Sequence, residues 1–270
     1  MALVKAAILP HSPLLIPEIG RANHTFLNKT SQAYEQVKDF LKSLEVDTLV
    51  IVSPHGPSAS EAYTINVSPE MEINFQDFGF IPPKTNFTGD SLLADKIKND
   101  LRNKFAVQLV SENVLDYGSA IPVYLLKNEE RSFKIITITP PENLDLENNY
   151  RFGKELQAII KASNKNIAVI SSSDLSHRLK KNSPGGYSPK GAKFDNKLIE
   201  YLNDPETAAL NILKIDNKLI NEAGECGLKP IMLLLGLLEN TVTEAKTLAY
   251  QTDFGVGYLS LDFKIDPTYE

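Results

Sequence analysis

The chain has four histidines and one cysteine, and three of the histidines stand where apolar runs end. Leu3 to Leu9 gives way to Pro10-His11-Ser12-Pro13, and Thr48 to Val52 gives way to Ser53-Pro54-His55-Gly56-Pro57. A third run, 166–172, leads into Ser173-Asp174-Leu175-Ser176-His177. Proline lacks an N–H and fixes φ, so His11 and His55 are held on stiffened backbone just beyond a strand. Two histidines with one carboxylate make the facial ligand set that leaves open positions on iron(II), where a chelating substrate and dioxygen can meet. The same set suits zinc, which can keep one position for water and act as a hydrolase. Spacing alone does not choose between these metals. His177 would stand beside the metal as a general acid or base, since imidazole titrates close to neutral pH. His24, in the polar run Arg21-Ala22-Asn23-His24, has no such setting.

These residues need a scaffold that brings strand ends together, and the hydrophobic pattern supplies one. Buried strands are expected at 3–9, 46–52, 105–110, 133–139 and 166–172, with a half-exposed or edge strand at 62–67, where Tyr63, Ile65 and Val67 alternate. Helical spacing marks 27–44, 90–103, 120–126 and 146–162, then 191–203, 205–214, 217–223 and 228–239. Two strands, 243–250 and 255–263, close the chain. Strands alternating with helices through residue 175 predict an α/β fold in a single domain over 1–270. Its central sheet is mostly parallel, with helices on both faces. In such sheets ligands sit beyond the carboxyl ends of the strands, where His11, His55, Asp174 and His177 fall. Glu225 and Cys226 lie in Ala223-Gly224-Glu225-Cys226-Gly227, just ahead of the apolar 228–239 helix. The aromatic, poorly periodic 69–89 segment reads as a short hairpin or a loop walling a substrate pocket.

Composition narrows the partners. A net charge of −6, with no lysine or arginine block, argues against nucleic acid. One cysteine allows no intrachain disulfide and no cysteine-cluster metal site, which fits a cytoplasmic protein. The first apolar run is broken by Lys5 and by prolines, unlike a signal peptide. The longest apolar stretch, 230–238, falls well short of the ~20 residues that cross a bilayer, so no membrane association is expected.

Five segments in order carry a family resemblance: Ala7–Gly20, Ser53-Pro54-His55-Gly56, Leu115-Asp116-Tyr117-Gly118, Ser173–His177 and Gly224–Pro230. Together they resemble the class III extradiol ring-cleaving dioxygenases, in the branch of the catalytic B subunit and of the stand-alone Memo-related proteins. The resemblance implies iron(II) held by His11, His55 and Glu225, with His177 moving protons. It also implies a small aromatic catechol and dioxygen as substrates, extradiol cleavage of the ring, and a homodimer or larger assembly. Asp174 is expected to orient His177.

Two departures from the family pattern bear on activity. The Asp-His-Gly motif of ring-cleaving members is here Asp116-Tyr117-Gly118; Tyr117 can orient substrate or oxygen but, with a pKa near ~10, is a poor base. Cys226-Gly227-Leu228-Lys229-Pro230-Ile231 resembles the Memo-like segment in which the cysteine sits at a metal position. Cys226 in place of Glu225 would favour zinc or copper and a metal-binding protein without ring cleavage. Glu225 is the preferred ligand, with Cys226 and Asp116 beside the site.

Overall fold

Residues 3–9 are apolar on both sides of the pleat apart from Lys5, and they form β1 (Leu3–Leu9), buried throughout from Lys5 to Leu9. A strand that is apolar on both sides belongs in a sheet covered on both faces. The structure, a computed structural model, describes residues 2–128 and 131–266, so the ends of the expected 1–270 domain lie outside the described residues. After β1 come α1 (Pro17–Gly20), α2 (Asn28–Ser43), β2 (Thr48–Val52) and β3 (Tyr63–Asn66). A separate small hairpin pairs β4 (Glu70–Glu72) with β5 (Asn86–Thr88) ahead of α3 (Ser91–Leu101). The alternation continues with β6 (Val107–Val110), α4 (Tyr117–Leu126), β7 (Lys134–Thr139), α5 (Leu146–Lys161) and β8 (Ile167–Ser172). The helices α6 (Pro189–Leu202), α7 (Ala208–Ile212), α8 (Asn217–Ala223) and α9 (Leu228–Leu237) then precede the antiparallel pair β9 (Val242–Gln251) and β10 (Tyr258–Ile265).

The main sheet has eight strands in the order β6-β3-β7-β2-β8-β1-β10-β9. Its centre is parallel: β7 pairs with β2, β2 with β8, and β8 with β1. The α/β class and mostly parallel sheet read from the sequence are both present. One face packs Ile8, Val50, Val52, Ile138 and Val169 under α5, α6 and α9. The other packs Ala7, Leu9, Ile51 and Ile170 under α2 and α4. Adjacent strand residues thus serve opposite cores, as the two-residue period requires.

One strand sits elsewhere than its pattern implies. The 62–67 run reads as an edge, yet β3 lies inside the sheet between β6 and β7 and is buried along its length. Its alternate polar residues are satisfied rather than solvated: Thr64 donates to the Pro57 carbonyl, and Asn66 donates to the Glu112 carbonyl at 2.8 Å. Buried polar groups with partners carry little penalty, so alternation there did not mean exposure. In the 69–89 segment, between the hairpin strands, a short 3-10 turn spans Gln76–Phe78.

At the amino-terminal end of the sheet, Asp90 caps α3, accepting from Leu93 N at 3.3 Å. The same buried carboxylate accepts from Thr48 Oγ1 at 2.6 Å and from Lys165 Nζ at 2.5 Å. Burial pushes its pKa up, but these hydrogen bonds and the Lys165 charge outweigh that and hold it below the usual value. Removing the carboxylate strands a buried hydroxyl, an ammonium and a helix end. Asp90→Ala is expected to cost about 2–3 kcal/mol in urea denaturation at pH 7. A depressed carboxyl stabilises above its unfolded pKa and stops doing so as pH falls through its folded one. The gap between variant and native protein should therefore narrow as pH drops from 5 towards 3.

Candidate metal centre

β1, β8 and β2 are adjacent and parallel, so their carboxyl ends open at one place. His11 lies just beyond β1, His55 just beyond β2, and Asp174 and His177 just beyond β8. Over these ends come the first residues of α4 from one side and the α8–α9 junction from the other. The chain brings His11 Nε2 to 3.2 Å from His55 Nε2, with the rings perpendicular. Cys226 Sγ lies 3.6 Å from the same His11 nitrogen. Among the described residues, His11, His55 and Cys226 form a group whose ligand atoms all lie within 4.8 Å of one another.

Each ring is aimed by a specific neighbour. Ser172, the last residue of β8, donates its hydroxyl proton to the Gly118 carbonyl. The serine oxygen, 2.9 Å from His11 Nδ1, is then the acceptor there. His11 therefore carries its proton on Nδ1 and presents a bare Nε2 to the centre. Imidazoles that bind metals usually have their other ring N–H held by an acceptor in this way. Burial lowers the His11 pKa to about 3, and burial together with His11 lowers that of His55 to about 4. Both rings are neutral at physiological pH, the form that binds metals.

Tyr117 opens α4. Its ring stacks on His55 at 4.4 Å, and its hydroxyl lies 2.8 Å from His55 Nε2. Burial pushes the phenol pKa up, so the hydroxyl keeps its proton at neutral pH. Phe78, from the 3-10 turn between β4 and β5, meets the outer edge of Tyr117 at 5.8 Å. Gly118 follows because space runs out: a Cβ there would lie 2.6 Å from Ser53 Oγ and 3.1 Å from His55 Cδ2.

The carboxylates singled out in the sequence do other work. Asp116 caps α4, accepting from Ser119 N at 2.9 Å and from Ser53 Oγ at 2.6 Å, which ties α4 to the end of β2. Asp174 accepts from the backbone N–H of His11 at 2.9 Å, and its other oxygen is 3.7 Å from His11 Nε2. Burial raises its pKa above the ordinary carboxylate value. It was expected to orient His177, and no hydrogen bond joins the two. His177 instead places Nδ1 2.8 Å from the Gly224 carbonyl, which leaves Nε2 as the free nitrogen.

Glu225 was expected as the third ligand; the side chain whose ligand atom groups with the two imidazoles is that of its neighbour, Cys226. The Glu225 carboxylate accepts from Leu228 N at 2.6 Å, in the first turn of α9. Unpaired amides at a helix start draw a nearby carboxylate strongly. Burial nevertheless raises its pKa to about 7. Burial also raises the Cys226 pKa, so the thiol is protonated in the absence of an ion.

The donor spacing suits one ion. Bonds of ~2.0–2.1 Å to nitrogen and ~2.3 Å to sulfur at tetrahedral angles put the nitrogens ~3.3 Å apart and nitrogen from sulfur ~3.6 Å apart. The two separations measured from His11 Nε2 are 3.2 and 3.6 Å, and all three donor atoms lie within 4.8 Å of one another. A cavity of about 290 Å³ reaches Cys226 between Pro54, Ser58, Pro141, Glu142 and Lys229.

The model of one protein family, the catalytic LigB subunit of aromatic ring-opening dioxygenase, matches residues 5–259. The chain belongs to this family. A Clostridium acetobutylicum protein, CA_C1420, is 30% identical over 96% of the chain, which spans 57% of that relative's length. The crystal structure of an uncharacterized Escherichia coli K12 protein, JW3007, superposes with a TM-score of 0.69, covering 96% of this chain and 99% of that one. At 16% identity that likeness is one of fold. Among the described residues, no helix is long and apolar enough to cross a membrane.

In this LigB-family chain Ser172 stands in the run Ser171-Ser172-Ser173 and Ser53 opens the Ser53-Pro54-His55-Gly56 segment, but neither serine was expected to hold a site residue, because the partner of a hydroxyl is not written in its sequence neighbours. Ser172→Ala would leave the His11 Nδ1 proton and the Gly118 carbonyl unpaired in a buried place. We expect a loss of about 2 kcal/mol or more in chemical denaturation, larger than that of a surface serine changed in the same way.

Proposed function

We propose that this chain is a Memo-like metal-binding member of the ring-opening dioxygenase family that holds one zinc or copper ion through His11, His55 and Cys226. In this reading it does not cleave catechol rings. The observation that supports the proposal is the gathering of two imidazole nitrogens and a thiol within 4.8 Å of one another, with the two separations from His11, 3.2 and 3.6 Å, close to those across a four-coordinate ion. A thiolate in the ligand set favours zinc or copper over the iron(II) that two histidines and a carboxylate would hold. Tyr117 in place of the family's histidine removes a base from beside the substrate and leaves a hydrogen-bond donor.

A bound ion would act as a Lewis acid or redox centre with one position open to a small molecule. The chain's own residues would do the rest. Tyr117 would donate a hydrogen bond to that molecule, His177 Nε2 would take or return a proton, and Phe78 would limit access from the outer side. The proline-walled cavity beside Cys226 would admit only a compact ligand.

Iron(II)-dependent extradiol cleavage of a catechol is the second reading. The family match favours it, as does the presence of Glu225, a carboxylate next to Cys226 in the chain. The two readings part on one set of measurements. Protein purified without chelators should contain about one zinc or copper per chain. Cys226→Ala should lose it, whereas Glu225→Gln, which keeps an acceptor for Leu228 N, should retain it. Anaerobic loading with iron(II) followed by a panel of catechols in air should give no oxygen uptake. Oxygen consumption with a yellow ring-opened product, abolished in Glu225→Gln, would establish the second reading instead.

A further inference from the structure

We infer that Asp195 is a positioning residue for His177, acting through the backbone of Ser176. The inference rests on the reading that His177 serves the metal centre. Asp195 lies on α6 and is fully buried. One carboxylate oxygen accepts from Ser176 N at 2.9 Å, and the other accepts from the Tyr250 hydroxyl of β9 at 2.7 Å. No lysine or arginine pairs with it among the described residues. A buried carboxylate without a cation is costly, so what its two oxygens hold deserves a functional account.

What they hold is the residue immediately before His177, and the rest of that residue is tied as well. The Ser176 hydroxyl donates to the Ala223 carbonyl at 2.7 Å, and its own carbonyl accepts from Gly257 N at 2.9 Å. His177 then meets the Gly224 carbonyl twice, with its backbone N–H at 3.3 Å and with Nδ1 at 2.8 Å. The imidazole plane is therefore set by a cage in which every polar atom of Ser176 is engaged, and Asp195 is the cage's charged member. Gly257 is part of the same fit: a Cβ there would lie 2.1 Å from the Asp195 carboxylate. The carbonyls that receive Ser176 and His177 belong to the segment leading directly to Cys226. The cage thus places the proton-handling ring and the thiol with respect to one another.

The consequence is a single tautomer at His177, with the proton on Nδ1 and Nε2 free. Nitrogen-15 NMR of the imidazoles, at a pH where His177 is neutral, reads this directly. Native protein should show His177 as the Nδ1–H form. Asp195→Ala should show a mixture of the two tautomers, with zinc affinity measured by competition within about threefold of native. Asp195→Asn, which can still accept from Ser176 N, should restore the native pattern. If Asp195→Ala does not fold, Tyr250→Phe removes the other restraint on the carboxylate and should shift the tautomer ratio in the same direction. A native His177 pattern in folded Asp195→Ala, or failing that in Tyr250→Phe, overturns the inference. Absence of zinc or copper binding in the native protein would instead overturn the metal reading, and the tautomer measurement would still decide the role of Asp195.

Discussion

Three parallel strands, β2, β8 and β1, run side by side in one register, with Val52 opposite Ser171 and Leu9 opposite Ser172. Everything that gathers over the sheet depends on that alignment. Because the strands end at nearly one level, the residues that follow them are delivered to one spot. Proline after β1 and again after β2 ends the ladder before the chain can wander. The hydrogen bonds of the ladder are buried under helices on both faces, so the platform is set by core packing rather than by the site.

On that platform, acidic residues organise backbone more than they offer free charge. Asp116 holds the amide of Ser119, Asp174 that of His11, Glu225 that of Leu228 and Asp195 that of Ser176. Each pins the start of a helix or the turn beyond a strand. The donors they leave at the centre are two neutral imidazoles and a thiol. The low polarity that keeps those rings neutral is the same condition under which a bound ion would be gripped most strongly. Ser172 belongs to this pattern too, since one hydroxyl joins β8 to His11 on one side and to α4 on the other.

Glu225 and Cys226 show how little separates two chemistries. They are neighbours in sequence, both precede α9, and either side chain is a metal ligand in some setting. The amides of the helix start capture the carboxylate, and the thiol is left facing His11. A difference of one residue in which side chain points across the sheet would separate a set completed by a carboxylate from one completed by a thiolate.

The sequence by itself determined the α/β class, the strand-end positions of His11, His55 and His177, and the family to which the chain belongs. Those features depend on local pattern: apolar runs, prolines that stop them, and motifs in fixed order. The interior position of β3 was hidden because Thr64 and Asn66 look like solvent-facing residues until their hydrogen-bond partners, contributed by distant segments, are known. Asp174 was expected to orient His177, as carboxylates often do around metal sites, yet its hydrogen-bond partner is His11, 163 residues distant in the chain. Asp195 and Tyr250 carried no signal, and Ser172 none for the part it plays, since their importance lies in what they touch. Only the tertiary structure decided the choice of Cys226 over Glu225 beside the imidazoles. That choice depends on the rotation of one backbone segment between α8 and α9, and the rotation is set by packing and helix-end hydrogen bonds that adjacent letters in a sequence cannot express.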